Sequence, residues 1–131
     1  MNHVQGENKR KYTDKEVAEI ICQAWNTLDA SLFEPLLCED YEYVSVWVLE
    51  TMKGKERYLD YIREKFKAIR ESGSIVEAEV YYQEEIGKHV VLLNQDGTRG
   101  AALEMTLNEE GVKQIWMRPP SLLAKVFTCD R

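Results

Sequence analysis

Apolar residues in the first part of the chain recur at helical spacing. Val17, Ile20, Ile21, Ala24, Trp25 and Leu28 make one broad stripe, which predicts an amphipathic helix with that face against a core. Thr13-Asp14-Lys15-Glu16 in front of it reads as a capping box, with Tyr12 and Val17 as the hydrophobic staple. Asp29-Ala30-Ser31 interrupts the pattern. Leu32, Phe33, Leu36 and Leu37 then predict a second, short helix, with Pro35 tolerated in its first turn. From 41 to 49 the period drops to two, giving one long strand. Tyr41, Tyr43, Ser45, Trp47 and Leu49 fall on one face and Val44, Val46 and Val48 on the other. Gly54 ends that run, and Leu59, Ile62, Phe66 and Ile69 mark a third helix that closes near Ser72-Gly73. Its basic residues Lys55, Arg57, Arg63, Lys65, Lys67 and Arg70 read as a solvated side.

The rest of the chain alternates as strands over 75–84, 89–94, 99–107 and 112–118. Gly87, Asp96-Gly97 and Glu110-Gly111 punctuate them, and Asp-Gly is the strongest hairpin signal of the three. Pro119-Pro120 ends the last strand by removing two backbone donors. Residues 1–11 read as a disordered leader, 12–120 as one domain and 121–131 as a tail in which Leu122, Leu123, Val126 and Phe127 can lie on apolar surface.

A length of 131 residues with 44% hydrophobic content supports one domain with its own core. The net charge of −6 argues against nucleic acid as a partner, because phosphate recognition draws on clustered Lys and Arg. Lys9-Arg10-Lys11 is the one basic run and falls in the leader. No stretch has the length of a membrane span and no apolar signal segment is present, so a cytoplasmic protein is expected. Cys22, Cys38 and Cys129 are an odd set without CxxC spacing, which fits reduced thiols rather than a disulfide framework or a metal site. No GxGxxG, P-loop, HExxH, GxSxG or EF-hand pattern calls for a cofactor.

The order of helices and strands, together with Ala24-Trp25-Asn26-Thr27-Leu28-Asp29, Phe33, Leu36-Leu37, Glu39-Asp40-Tyr41, Gly54-Lys55-Glu56 and 111–117, resembles the nuclear transport factor 2-like superfamily. The resemblance spans about residues 12 to 119. It implies a cone-shaped α+β (cystatin-like) fold in which three helices are wrapped by a curved, mostly antiparallel sheet. The superfamily includes ketosteroid isomerases, cyclases, dehydratases, epoxide hydrolases and members without known chemistry, so the fold does not set the function. Ungapped matching to the ketosteroid isomerases puts Ser45 at their general-base position and Ile21 at their oxyanion tyrosine, and neither side chain can do that chemistry. Glu104 matches their protonated oxyanion carboxyl, although Leu103, Met105 and Leu107 as the apolar face would turn Glu104 to water.

His89 reads as a strand-end residue, and no Asp lies on a strand to form the His–Asp pair of some dehydratases of this fold. Trp25, Phe33, Tyr43, Ser45, Trp47, Tyr61, Glu104 and Met117 are the expected ligand-binding set. The expected function is an apolar pocket for a small, partly hydrophobic molecule. An isomerase, cyclase or dehydratase using Glu104 is the alternative, and a protein-interaction module is another. Val44, Val46 and Val48 with Leu103, Met105 and Leu107 would expose an apolar sheet face, so a homodimer through that face is expected.

Overall fold

The computed structural model describes residues 11–46 and 48–120, with the backbone alone at 48–50. The leader through residue 10, Trp47 and the 121–131 tail with Cys129 lie outside the described residues. Helix α1 spans Asp14–Thr27 and α2 spans Lys55–Ser72. Among the described residues six strands follow the order β1 (Leu37–Ser45), β2 (Val48–Lys53), β3 (Val76–Gln83), β4 (Lys88–Gln95), β5 (Thr98–Leu107) and β6 (Val112–Arg118). They form one sheet in the order β2-β1-β6-β5-β4-β3. All neighbours are antiparallel except β1 and β6, which run parallel.

The α1 start follows the capping box. Thr13 Oγ1 accepts from the Glu16 amide at 3.1 Å, and Glu16 Oε1 accepts from the Thr13 amide at 2.9 Å. The helix ends at Leu28, which takes the left-handed conformation and donates back to the Ala24 carbonyl. Val17, Ile21, Ala24 and Trp25 are buried, and they meet Tyr58, Leu59, Ile62 and Phe66 of α2 and the helix-facing side of the sheet in one core. Among the described residues no helix is long and apolar enough to cross a membrane.

The expected second helix is instead a single 3-10 turn, Ala30–Phe33, with Asp29 Oδ1 capping the Ser31 amide at 3.0 Å. Among the described residues there are therefore two α-helices where three were expected. Leu36 and Leu37 leave the helical path because the Leu36 carbonyl accepts from the Val112 amide at 2.7 Å, which ties this segment to β6. That approach requires Gly111, whose φ is +152°. A Cβ there would collide with the Leu36 carbonyl.

The long strand expected over 41–49 is broken at Val46, and the chain folds back as β2. Val44 and Ser45 carry a bulge in the β1–β2 register. Alternating β-branched and aromatic residues give no turn signal here, so the break is set by pairing rather than by local chemistry.

Register fixes the two faces. Tyr43 pairs with Ile115, Leu103 with Met117, and Val91 with Leu103, and all of these face the helices. Leu103 and Met105 therefore belong to the core of the chain itself rather than to an exposed face shared with Val44 and Val46. The opposite face carries a small cluster of Val90, Leu92 and Ala102, packed by Ile86.

Edge strand β3 is held by α1. Asn26 donates from Nδ2 to the Ala78 carbonyl at 3.0 Å, and its Oδ1 accepts from the Ala78 amide at 2.7 Å. One side chain thus satisfies both groups of a residue on an unpaired edge.

Candidate functional site

Four aromatic side chains on β1 and α2 wall one end of the core. Tyr41 and Tyr43 alternate on β1, while Tyr58 and Tyr61 lie three apart on α2. Ring centroids are 4.8 Å apart for Tyr41–Tyr58, 5.2 Å for Tyr43–Tyr58 and 5.7 Å for Tyr43–Tyr61. Burial raises the phenol pKa of Tyr41, Tyr43 and Tyr58, because each phenolate would lose its hydration. The Tyr43 hydroxyl donates to Met117 Sδ at 3.3 Å and so links β1 to β6.

Beside this wall the structure opens into two adjoining cavities that share Lys65 and Met117. The first holds about 300 Å³ between Tyr43, Ser45, Met52, Arg57 and Tyr61. The second holds about 270 Å³, with Trp25, Ile69, Val76, Leu93 and Ala101 among its walls. Together they form a cleft of small-molecule size with an apolar base. Trp25 is 3% exposed, packs edge-on against Phe66 at 4.9 Å, and its indole Nε1–H has no hydrogen-bond partner among the described residues.

Of the expected ligand-binding set, Trp25, Tyr43, Ser45, Tyr61 and Met117 meet at this cleft. Phe33 does not: it is fully buried, with its ring 5.7 Å from Tyr58 and 6.3 Å from Phe66, and is a core residue. Trp47 lies outside the described residues.

Glu104 stands on the face that the helices leave uncovered. Its carboxylate accepts from Arg118 Nε at 3.2 Å and faces Lys88 Nζ at 3.4 Å, while Arg118 also donates to Gln83 Oε1 at 2.9 Å. The alternation of Leu103, Met105 and Leu107 against Glu104 determines this orientation, overriding the position suggested by matching to isomerases. Ile21, at the matched tyrosine position, is fully buried in the core.

Several lining residues were not legible as such. Arg57 and Lys65 read as part of a solvated helix side, but Arg57, Tyr61 and Lys65 are spaced by four and form a ridge beside the buried Tyr58, Ile62 and Phe66. That spacing is the signal in the sequence that could have placed them. His89 does have an aspartate, supplied by a helix rather than a strand. Asp14 Oδ2 accepts from the His89 amide at 2.7 Å and lies 2.8 Å from Nδ1. This pair is at the start of β4, about 13 Å along the strand from Leu93 at the cleft. It pins α1 to the sheet away from the cavity. Cys22 and Cys38 are free thiols, held up in pKa chiefly by burial.

No protein-family model matches the chain, and no curated protein matches it in sequence. Solved structures do match it in shape. A nuclear transport factor 2-like protein of unknown function from Cytophaga hutchinsonii superposes with a TM-score of 0.60 at 15% identity, covering 89% of this chain and 98% of that one. The chain has the nuclear transport factor 2-like fold. A SnoaL-like protein of unknown function from Burkholderia thailandensis gives 0.63 at 15% identity over 79% of this chain and 92% of its own. An LEH-like epoxide hydrolase from M. tuberculosis gives 0.56 at 14% identity over 88% and 96%. At these identities the likeness is one of fold. Within the nuclear transport factor 2-like fold, the cleft described above lies between α2 and the helix-facing side of the sheet.

Proposed function

We propose that the protein binds a small, partly hydrophobic molecule in the cleft between α2 and the sheet. The observation that carries this reading is that Trp25, Tyr43, Ser45, Tyr61 and Met117, drawn from four separate elements, line adjoining cavities of about 300 and 270 Å³. Among the described lining residues there is no carboxylate or imidazole to exchange a proton near neutral pH, which favours binding over acid–base catalysis. An enzyme using Glu104 finds no support in the pairing of that carboxylate with Arg118 on the other face. Free thiols at the half-buried Cys22 and the buried Cys38 fit the cytoplasmic location that belongs to this reading.

The methionines provide a test. Met52 and Met117 line the cleft, whereas Met105 is a core residue. Adding naphthol, a neutral aromatic of suitable size, should move the Met52 and Met117 methyl signals in carbon–proton NMR spectra and leave Met105 in place. No shift up to millimolar probe, or shifts of all three alike, would overturn the reading.

The same proposal includes a homodimer through the uncovered sheet face, where Trp116 is 39% and Tyr81 51% exposed. Light scattering should report twice the 15.3 kDa of the chain. A monomer at tens of micromolar would remove this part and leave the cleft unaffected.

A further inference from the structure

The cleft combines an apolar base with an unusual charge for this chain. The protein carries 23 acidic and 17 basic residues, yet the described residues lining the two cavities include Arg57 and Lys65 and no acidic side chain. Neither cation forms an ion pair among the described residues, and Lys65 borders both cavities. Three other cations of α2 are committed elsewhere: Arg63 pairs with Asp60 at 3.1 Å, Arg70 donates to the Leu28 carbonyl, and Lys55 lies 4.0 Å from Glu39. Arg57 and Lys65 stand two turns apart on one ridge, about 12 Å along the helix axis, with Tyr61 between them. Both side chains are long enough to reach a group bound at the level of Tyr61. The half-buried Lys65 works at reduced solvent screening, which strengthens its attraction for an anion.

We propose that the ligand is an amphipathic anion. Its apolar body occupies the cavity walled by Trp25, Leu93 and Ala101, and its anionic oxygen group meets Arg57 and Lys65 beside Tyr43 and Ser45. This deepens the ligand-binding reading above and rests on it. A carboxylate and a phosphate share the required chemistry, since both accept charge-assisted hydrogen bonds from guanidinium and ammonium groups.

Naphthol, naphthoate and naphthyl phosphate present one apolar body with no charge, one carboxylate or one phosphate. Their affinities are to be read from the Met52 and Met117 methyl shifts of the full chain. Naphthoate or naphthyl phosphate should bind about tenfold more tightly than naphthol, with the advantage shrinking as salt is added. The tighter of the two anions assigns the headgroup. In the Arg57→Gln/Lys65→Gln double variant the ratio of anion to naphthol affinity should fall to about one, whatever happens to naphthol binding itself, while Lys67→Gln, on the same helix but away from the cleft, should keep the parent ratio. Equal binding of charged and neutral probes, or an anion preference that survives the double variant, overturns the proposal while leaving the cleft as a binding site. Absence of any methyl shift with all three probes overturns both.

Discussion

Arg118 donates from Nε to Glu104 Oε1 at 3.2 Å, joining β6 to β5 on the face of the sheet opposite the helices. The Arg118 side chain is 5% exposed and that of Glu104 is 27% exposed. A buried guanidinium that loses its carboxylate pays for its desolvation without return.

Glu104→Ala should therefore destabilise the protein by about 2 kcal/mol, less than a fully buried pair because water reaches Glu104. Urea denaturation measures it. Probe affinity at the cleft should stay within about twofold of the parent, since the pair acts on the other face. A stable Glu104→Ala protein that no longer binds naphthol would place Glu104 in the binding machinery instead.

Gly111→Ala tests the junction that draws Leu36 to β6. The new Cβ meets the Leu36 carbonyl, and the backbone there has a φ that side chains rarely adopt. The expected loss is about 2–4 kcal/mol, with the Val112 amide losing its protection from hydrogen exchange. A change under about 0.5 kcal/mol would show that the strand ends can separate freely.

Asn26→Ala removes two hydrogen bonds to Ala78 at the β3 edge. Because that edge is open to water, the cost is expected at about 1–2 kcal/mol rather than that of two buried orphans. Exchange of the Ala78 amide should accelerate more than that of amides in β4. Uniform acceleration across the sheet would mean that the loss is global and not at the edge.

The tyrosine wall predicts an alkaline limit. Burial raises the pKa of Tyr41, Tyr43 and Tyr58 above the unfolded value, so their neutral forms favour the folded state. That contribution is complete below about pH 10, the unfolded phenol value, and is lost as pH rises through the folded values. Spectrophotometric titration of native protein should fall short of the denatured protein by about three of the seven tyrosines until the fold gives way. Full ionisation before unfolding would show these rings to be hydrated.

Local chemistry decided much of this fold. The capping box and apolar stripe placed α1, and Gly87, Gly97 and Gly111 separated the last four strands, because caps, periodicity and left-handed turns act over only a few residues. The alternation around Glu104 already contained the orientation that the structure shows. What the sequence left open depended on partners distant along the chain. Leu36 and Leu37 have a helical pattern but are recruited by Val112, and the break after Ser45 exists because β2 pairs back onto β1. Asp14 reaches His89 across 75 positions, a contact that no spacing rule anticipates. Arg57 and Lys65 look like ordinary solvated cations on a helix, and only the packing of α2 against β1 and β2, with Met117 of β6 alongside, makes them the rim of a cleft. Periodicity tells which side of an element is apolar, whereas the neighbour that each remaining side chain meets is fixed only when the sheet closes against its helices.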